Sequence, residues 1–566
     1  MTEPRSIGDG GMPHDRRLWA LAIGGAIAMF LVQPPADLWW LGWIAPLPWL
    51  ALVKAGRLPG RRPWRAIWAA GFLHWLLAIH WLRLPHPATS IGWIALSAYL
   101  AAYVPLFVWW ARMLVHRWRW PLVPAACVAW MACEHVRGTL LGGFTFAGLG
   151  HTQWRWTTLI QVADAFGAVG VSGVVMAGAA AIASVVWSGR RFAAVVEAAA
   201  AVTVVALTLG YGSWRLRHEP VPGRSLDVLL VQGSIDTELK HDPDAAGDVA
   251  RHYDELTLAG LAETGPDARP DLVVWPETMW RWSLLEIDPA ETLPEPTVEH
   301  FLGPEPPDAD SAVRAERQAR CRTSLERERL DALAVYANRY RTVWLVGLDR
   351  QVVTPAAAGG VRHYNSALFL DGDGDVVARY DKMHPVMFGE YVPLADRFPI
   401  LYRLTPLPGS LTAGTRPLAL DVEGFGVAPT ICYETALPGA IRSLVRELFQ
   451  ENAKPDVIVN LTNDGWFWGS SELDMHLTAA IFRAVEVRTP IVIAANTGFS
   501  ASIDGSGRLL ARGPRRATAT ILARVVPDGR WSPWLTWGTL PVAGCVAVVG
   551  IATLETLLSR RRRPVT

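Results

Sequence analysis

Disulfide frameworks, zinc sites and nucleic-acid binding are poorly provided for in this chain. Its five cysteines (Cys127, Cys133, Cys321, Cys432 and Cys545) form an odd, scattered set without a CxxC pair. That argues against both a disulfide scaffold and a zinc site. An excess of one charge is lacking too. A net charge of +1 over 566 residues offers no polyanion-binding face, so no nucleic-acid partner is expected. No motif calls for a metal or an organic cofactor. Charged residues make up only 19% and hydrophobic residues 51%. That is too apolar for an ordinary soluble protein and too polar for a pure helical bundle; a membrane part joined to a water-exposed part satisfies both. No small-residue cleavage site follows the first apolar run, so no cleavable signal peptide is expected. The absence of internal repeats or interrupted helix pairs argues against a transporter.

What is abundant is apolar sequence of membrane-spanning length. About eight helices are expected, at 18–32, 38–53, 66–82, 91–115, 121–136, 165–187, 192–211 and 534–558. Tryptophans such as Trp39, Trp40, Trp118, Trp120, Trp531 and Trp534 crowd the ends of these runs, where indole rings favour the headgroup layer. The basic residues cluster in alternate connections: Arg16 and Arg17, 54–65, 112–119, Arg190 and Arg191, and 560–563. All fall on one side, which the positive-inside rule makes cytoplasmic. Three parts follow: a bundle over 1–211, a polar domain over 212–533 on the opposite face, and a closing helix with an Arg-rich tail over 534–566. In a two-membrane bacterium the opposite face is the periplasm.

The polar stretch alternates short β-like runs with helical patterns. Strands are expected at 227–231, 272–275, 343–348, 367–370, 376–380, 427–432, 457–460 and 491–495, which implies an α/β sandwich. The segment 283–329, rich in Pro, Glu, Asp and Arg, breaks the pattern and reads as a surface insertion with a helical latter half. Asp371-Gly372-Asp373-Gly374-Asp375 hints at calcium but lacks the rest of an EF-hand loop, so a hairpin turn is expected there.

Three segments carry chemistry. Val273-Val274-Trp275-Pro276-Glu277 and Pro429-Thr430-Ile431-Cys432-Tyr433-Glu434 each run a strand into a reactive group. Between them lies Tyr380-Asp381-Lys382, followed by Glu390. Strand ends are where α/β folds gather reactive groups. A thiol is a weak nucleophile until deprotonated. A carboxylate can take its proton and return it to a leaving group, and an ammonium stabilises both thiolate and oxyanion. Glu277 therefore reads as base and acid, Lys382 as electrostatic stabiliser and Cys432 as nucleophile, with the backbone N–H of Tyr433 as a further oxyanion donor. Taken singly, each has a plainer reading: a turn carboxylate, a solvated charge and a packed core thiol. Polar residues in the apolar half are equally two-sided. His74 and His80 either face a lipid cavity or pack inside the bundle. Glu134, His135 and Arg137 either line a substrate entrance or pair with one another.

Together, in this order, the three segments resemble the Glu-Lys-Cys signature of the nitrilase superfamily. With apolar helices before and after, the chain resembles that superfamily's membrane-bound branch, the apolipoprotein N-acyltransferases. Gln232-Gly233, Leu159-Ile160-Gln161-Val162-Ala163-Asp164 and Asn463-Asp464-Gly465-Trp466-Phe467 fit the same likeness. It implies a four-layer αββα sandwich joined to a membrane bundle. It also implies a ping-pong reaction: Cys432 takes an acyl group from a phospholipid as a thioester, then passes it to the N-terminal amine of a diacylglyceryl-cysteine on an apolipoprotein. Glu390, Tyr433 and Glu434 match supporting positions around the site, and Trp466 a substrate-binding one. The chain departs from the family where His241 replaces a tryptophan, where Phe144-Thr145-Phe146 replaces Phe-Pro-Trp, and where Trp468 interrupts Trp-Phe-Gly. His241 is carried as a substrate-binding candidate. The same triad would serve a membrane-anchored amidase with water as acceptor, and an inert fold of this kind would serve as a membrane scaffold.

Overall fold

The computed structural model describes residues 14–187, 189, 191–220, 223–236, 243–265, 269–307, 309–355, 360–395, 397–398, 400 and 409–561. His241, Arg190, Arg562 and Arg563 lie outside them. The apolar half folds into helices α1 (His14–Leu31), α2 (Leu47–Lys54), α3 (Pro63–Ala78), α4 (Thr89–Arg117), α5 (Leu122–Arg137), α6 (Ala163–Trp187) and α7 (Arg191–Arg217). Among the described residues, four helices can cross a membrane by length and composition: Thr89–Arg117, Ala163–Trp187, Arg191–Arg217 and, near the end of the chain, Leu540–Ser559. The run at 38–53 does not make a span. Pro46 and Pro48 supply no amide donors, so it splits into a 3-10 turn, Trp39–Trp43, and the short α2. Eight residues rise only ~12 Å, against a hydrocarbon core of ~30 Å.

The described residues of the polar half build twelve strands: β1 (Leu226–Gln232), β2 (Leu272–Ile287), β3 (Val343–Val353), β4 (Val361–Leu370), β5 (Val376–Asp381), β6 (Leu420–Val422), β7 (Phe425–Ile431), β8 (Val457–Thr462), β9 (Ile491–Ala495), β10 (Ala501–Ile503), β11 (Leu509–Arg512) and β12 (Ala519–Val525). They form two six-stranded sheets, in the orders β12-β1-β2-β3-β4-β5 and β11-β10-β9-β8-β7-β6. Alternation along the strands fixes the layering. Val228 and Leu230 of β1 face Val427, Val459 and Leu461 of the other sheet in a shared inner core. Leu229 and Val231 point outward to α8 (Ala246–Thr264) and to the C-terminal part of a long helix. On the far side, Ile458 and Ile491 pack under α11 (Pro438–Gln450) and α12 (Glu472–Val487). The result is the expected αββα sandwich.

The segment 283–329 has the expected helical latter half, but its first residues continue the sheet. Strand β2 runs into it as far as Ile287, and α9 (Glu295–Leu302) and α10 (Ser311–Tyr340) follow. Ile287, Leu293, Val298 and Cys321 give it a small core of its own, while Leu333, Ala337 and Tyr340 make the end of α10 part of an outer layer. Charge on the exposed face of α10 masked that role in the sequence. The Asp371–Asp375 stretch is the expected hairpin turn, with Asp371 Oδ1 accepting the N–H groups of Asp373 and Asp375. The chain closes with α13 (Leu540–Arg561).

Bundle and sandwich meet at one end of the helices. Gln161 Nε2 donates to Ser506 O at 2.8 Å, and Thr145 Oγ1 to Ala436 O at 2.6 Å. Helix α6 kinks at Gly167 (φ 67°), and Glu486 of α12 accepts the N–H of Ala168 at 2.8 Å. The basic connections gather at the other end. Arg61 N–H donates to Asp15, Arg112 to the carbonyls of Leu52 and Val53, and Arg117 pairs with Glu555.

Candidate active site

Glu277 is delivered by a bulge. Pro276 cannot donate to the ladder, the β2–β3 register shifts between Trp275 and Trp280, and Thr278 takes a left-handed turn (φ 53°). Gly347 on β3 makes room for this; a Cβ there would lie 2.4 Å from Pro276 O. The Glu277 carboxylate is only 6% exposed. Its Oε1 accepts Asn365 Nδ2 at 2.6 Å and its Oε2 the backbone N–H of Asn463 at 3.0 Å. Lys382, just past β5, is 2% exposed, with Nζ 3.5 Å from Glu277 and 2.6 Å from Glu390. Burial disfavours the ammonium, but Glu390 and Glu277 more than offset it and hold the pKa above the ordinary lysine value.

Cys432 ends β7 as the first residue of a 3-10 turn, at φ 53°, rather than as the last strand residue expected. A left-handed non-glycine at a strand end is strained, and it turns the half-buried thiol out of the ladder. Burial and the Glu277 charge push the thiol pKa well above 9, while Lys382 acts in the opposite sense. The resting nucleophile is thus a thiol, with a carboxylate and an ammonium both close enough to act on it.

The supporting carboxylates divide the work. Glu390 grips Lys382 directly, and its other oxygen accepts the N–H of Val386 at 2.7 Å. Glu434 fastens the two loops together. It accepts the N–H groups of Met383 and His384 on the lysine side and of Ile431 on the cysteine side, plus Tyr380 Oη. Burial opposes its ionisation, yet these donors hold its pKa below the usual carboxylate range.

A family model described as "Apolipoprotein N-acyltransferase N-terminal domain" matches residues 25–181, and one described as "Carbon-nitrogen hydrolase" matches 259–530. An apolipoprotein N-acyltransferase from Rhodopirellula baltica is 29% identical over 97% of this chain and all of its own length. Another, from Geobacter metallireducens, is 30% identical over 97% of this chain and 96% of its own. The chain belongs to the apolipoprotein N-acyltransferase family. It is therefore an acyltransferase carrying a carbon–nitrogen hydrolase domain. A solved amidase from Nesterenkonia sp. superposes with a TM-score of 0.33 at 15% identity, over 55% of this chain and 94% of its own.

The apolar half of the chain reaches Tyr433, next to Cys432, through aromatic rings. Tyr433 donates from its hydroxyl to Gly143 O at 3.3 Å and meets Phe146 edge-on at 5.8 Å. Phe146 continues to Phe144 and to Trp81, which contacts Phe467 at 5.0 Å. The Phe144-Thr145-Phe146 departure thus still supplies two rings to this wall. Trp466 is half-buried in the 3-10 turn Asp464–Phe467, and Trp468 stands out to solvent with the Arg516 guanidinium 5.4 Å from its ring centre. His74 packs edge-on against Trp75 and Trp49.

Several contributors escaped sequence reading. Asn365 lies 88 residues from the carboxylate it serves, and no local motif marks it. His476 on α12 lies behind the elbow: Nε2 is 3.1 Å from Cys432 O, and Nδ1 is 3.2 Å from Asp464 Oδ1. Asp464, Glu472 and His476 are buried, with one ligand-type atom from each within 4.8 Å of the others, a spacing that could hold a metal ion. The chemistry does not favour one. Burial alone would lower the His476 pKa, but Asp464 more than reverses this and lifts it to about 9. Burial and Asp464 push Glu472 well above the usual carboxylate range. Both shifts favour the protonated forms, which are the poorer metal ligands, and the cluster reads as a support for the Cys432 backbone carbonyl.

Proposed function

We propose that this acyltransferase transfers a fatty acyl group from a phospholipid to the N-terminal amine of a diacylglyceryl-cysteine on an apolipoprotein, through a thioester on Cys432. The observation that carries the reading is the Glu277–Lys382–Cys432 constellation, gathered in the hydrolase domain and walled in part by rings from the connections of the apolar half. Glu277 takes the thiol proton as sulfur attacks the ester carbonyl. Lys382 and the N–H of Tyr433 stabilise the oxyanion. Glu277 then returns the proton to the departing lysophospholipid oxygen. In the second half-reaction it takes a proton from the attacking amine and returns it to the departing sulfur, which leaves as the thiol. The apolar wall favours lipid over water, which protects the thioester from hydrolysis.

The same reading divides the chain into a bundle over 1–211, a catalytic domain over 212–533 and a closing helix over 534–566. It places the catalytic domain at the periplasmic face of the inner membrane. What supports the orientation is the gathering of the basic connections at the helix ends remote from that domain.

The test is to incubate the purified protein with phospholipid and a synthetic diacylated lipopeptide, and to weigh the lipopeptide. A gain of one acyl chain, absent with Cys432→Ala, supports the reading. Free fatty acid without lipopeptide acylation would make water the acceptor and the protein a hydrolase.

A further inference from the structure

Arg137 closes α5 on the side that faces the hydrolase domain, and it is only 6% exposed. A guanidinium carries five donors and cannot be deprotonated in proteins, so burying it without an acceptor is costly. Among the described residues no carboxylate forms an ion pair with Arg137, and its Nε has no hydrogen-bond acceptor. Its visible partner is a ring: the guanidinium carbon lies 5.0 Å from the centre of Trp75. Glu134, one turn earlier, acts on it through space without forming an ion pair; Glu134 Oε1 instead accepts Trp130 Nε1 and the N–H of Leu149, each at 2.9 Å.

The surroundings say what is missing. Trp75 meets Phe144, Phe144 meets Phe146, and Phe146 meets Tyr433, beside the nucleophile. The Arg137 charge acts on the Tyr433 hydroxyl, so the two ends of this wall lie close together. The loop leaving Arg137 is fastened at both ends, Phe144 N–H to Arg137 O and Tyr433 Oη to Gly143 O. Its tip presents Leu140 and Leu141, 50% and 66% exposed. A buried cation and the thiol thus share one aromatic wall, as the phosphate and the ester carbonyl share one glycerol in a phospholipid.

We propose that the Arg137 guanidinium binds the phosphate of the acyl-donor lipid and so holds the ester at Cys432. This rests on the phospholipid-donor reading above. Planar, bidentate recognition of phosphate is what arginine does better than lysine.

The test measures thioester formation on Cys432 from two donors, a phosphatidylethanolamine and p-nitrophenyl palmitate, which has no phosphate. With Arg137→Gln, the apparent KM for the phospholipid should rise about tenfold or more, the worth of a charge-assisted hydrogen bond. Acylation by p-nitrophenyl palmitate should stay within about twofold, which also shows that the variant folds. Arg137→Lys should recover only part of the loss. Equal losses with both donors, or no loss with either, would overturn the proposal. A wild-type protein that gains no thioester from either donor would instead defeat the underlying reading. Inorganic phosphate separates the two sources of the anion. Indifference to millimolar phosphate supports a lipid headgroup. Inhibition that vanishes in Arg137→Gln keeps the phosphate site but assigns it to the free ion.

Discussion

The charge states around Cys432 set what a single substitution can do. A half-buried thiol beside a carboxylate does not ionise by itself at neutral pH, so the proposed reaction has Glu277 accept the proton at the moment of attack. Behind the nucleophile, His476 has the opposite character. Its folded-state pKa of about 9 lies above the ordinary value of 6.5, so folding binds its proton. The stability this contributes is fully present below about pH 6.5 and is lost as pH rises through about 9. The thermal midpoint in detergent should therefore fall over that window, and His476→Gln should flatten the fall. An equally steep fall in the variant would remove His476 from the account. Sequence made the candidate triad legible because each member sits at or just past a strand end with its own short motif. His476 and Asn365 were not legible, because their roles arise only when sheet pairing and helix packing bring distant segments together.

Elements position these groups through close backbone approaches. Strand β3 passes the β2 bulge so tightly that a Cβ on Gly347 would stand 2.7 Å from Glu277 Cα and 2.9 Å from Thr278 N, neither of which can swing away as a flexible side chain could. Gly347→Ala should displace the Glu277 carboxylate and slow thioester formation by about a hundredfold, the scale of an ångström-sized misplacement. Gly439→Ala, where a Cβ meets open space, should leave the rate unchanged. Equal rates for the two variants would contradict this view of the bulge. At this scale eight strands, β1 to β5 and β7 to β9, were readable from apolar runs, while β12 and the order of strands in each sheet were not. The extension of β2, the short strands β6, β10 and β11, and the packing of α10 were not. Their patterns are interrupted by proline, too brief, or hidden by charge on the exposed face.

At the scale of the molecule, a buried charge cluster joins bundle to catalytic domain. Asp164 is fully buried, 2.5 Å from Arg488 Nη2 and 2.7 Å from Arg215 Nε, and accepts the Tyr211 hydroxyl at 2.7 Å. Removing one member of such a cluster leaves uncompensated buried charge and costs about 3–5 kcal/mol. Asp164→Asn should therefore lower the unfolding midpoint and open the junction to limited proteolysis. Asp164→Glu, which keeps the charge, should do less. A variant as stable and as protease-resistant as the parent would show that the junction rests on apolar packing instead. The run at 38–53 carries a lesson of the same scale: hydropathy counted it as a span, and two prolines made it two short pieces.

The central claim is that Cys432 carries the acyl group, and the most direct test is the intact mass of the purified protein after incubation with phospholipid, beside a Cys432→Ser control. The account expects a gain of one acyl chain that hydroxylamine removes and the control lacks. No gain, with phospholipid shown to be accessible, or an equal gain in the control, would contradict it.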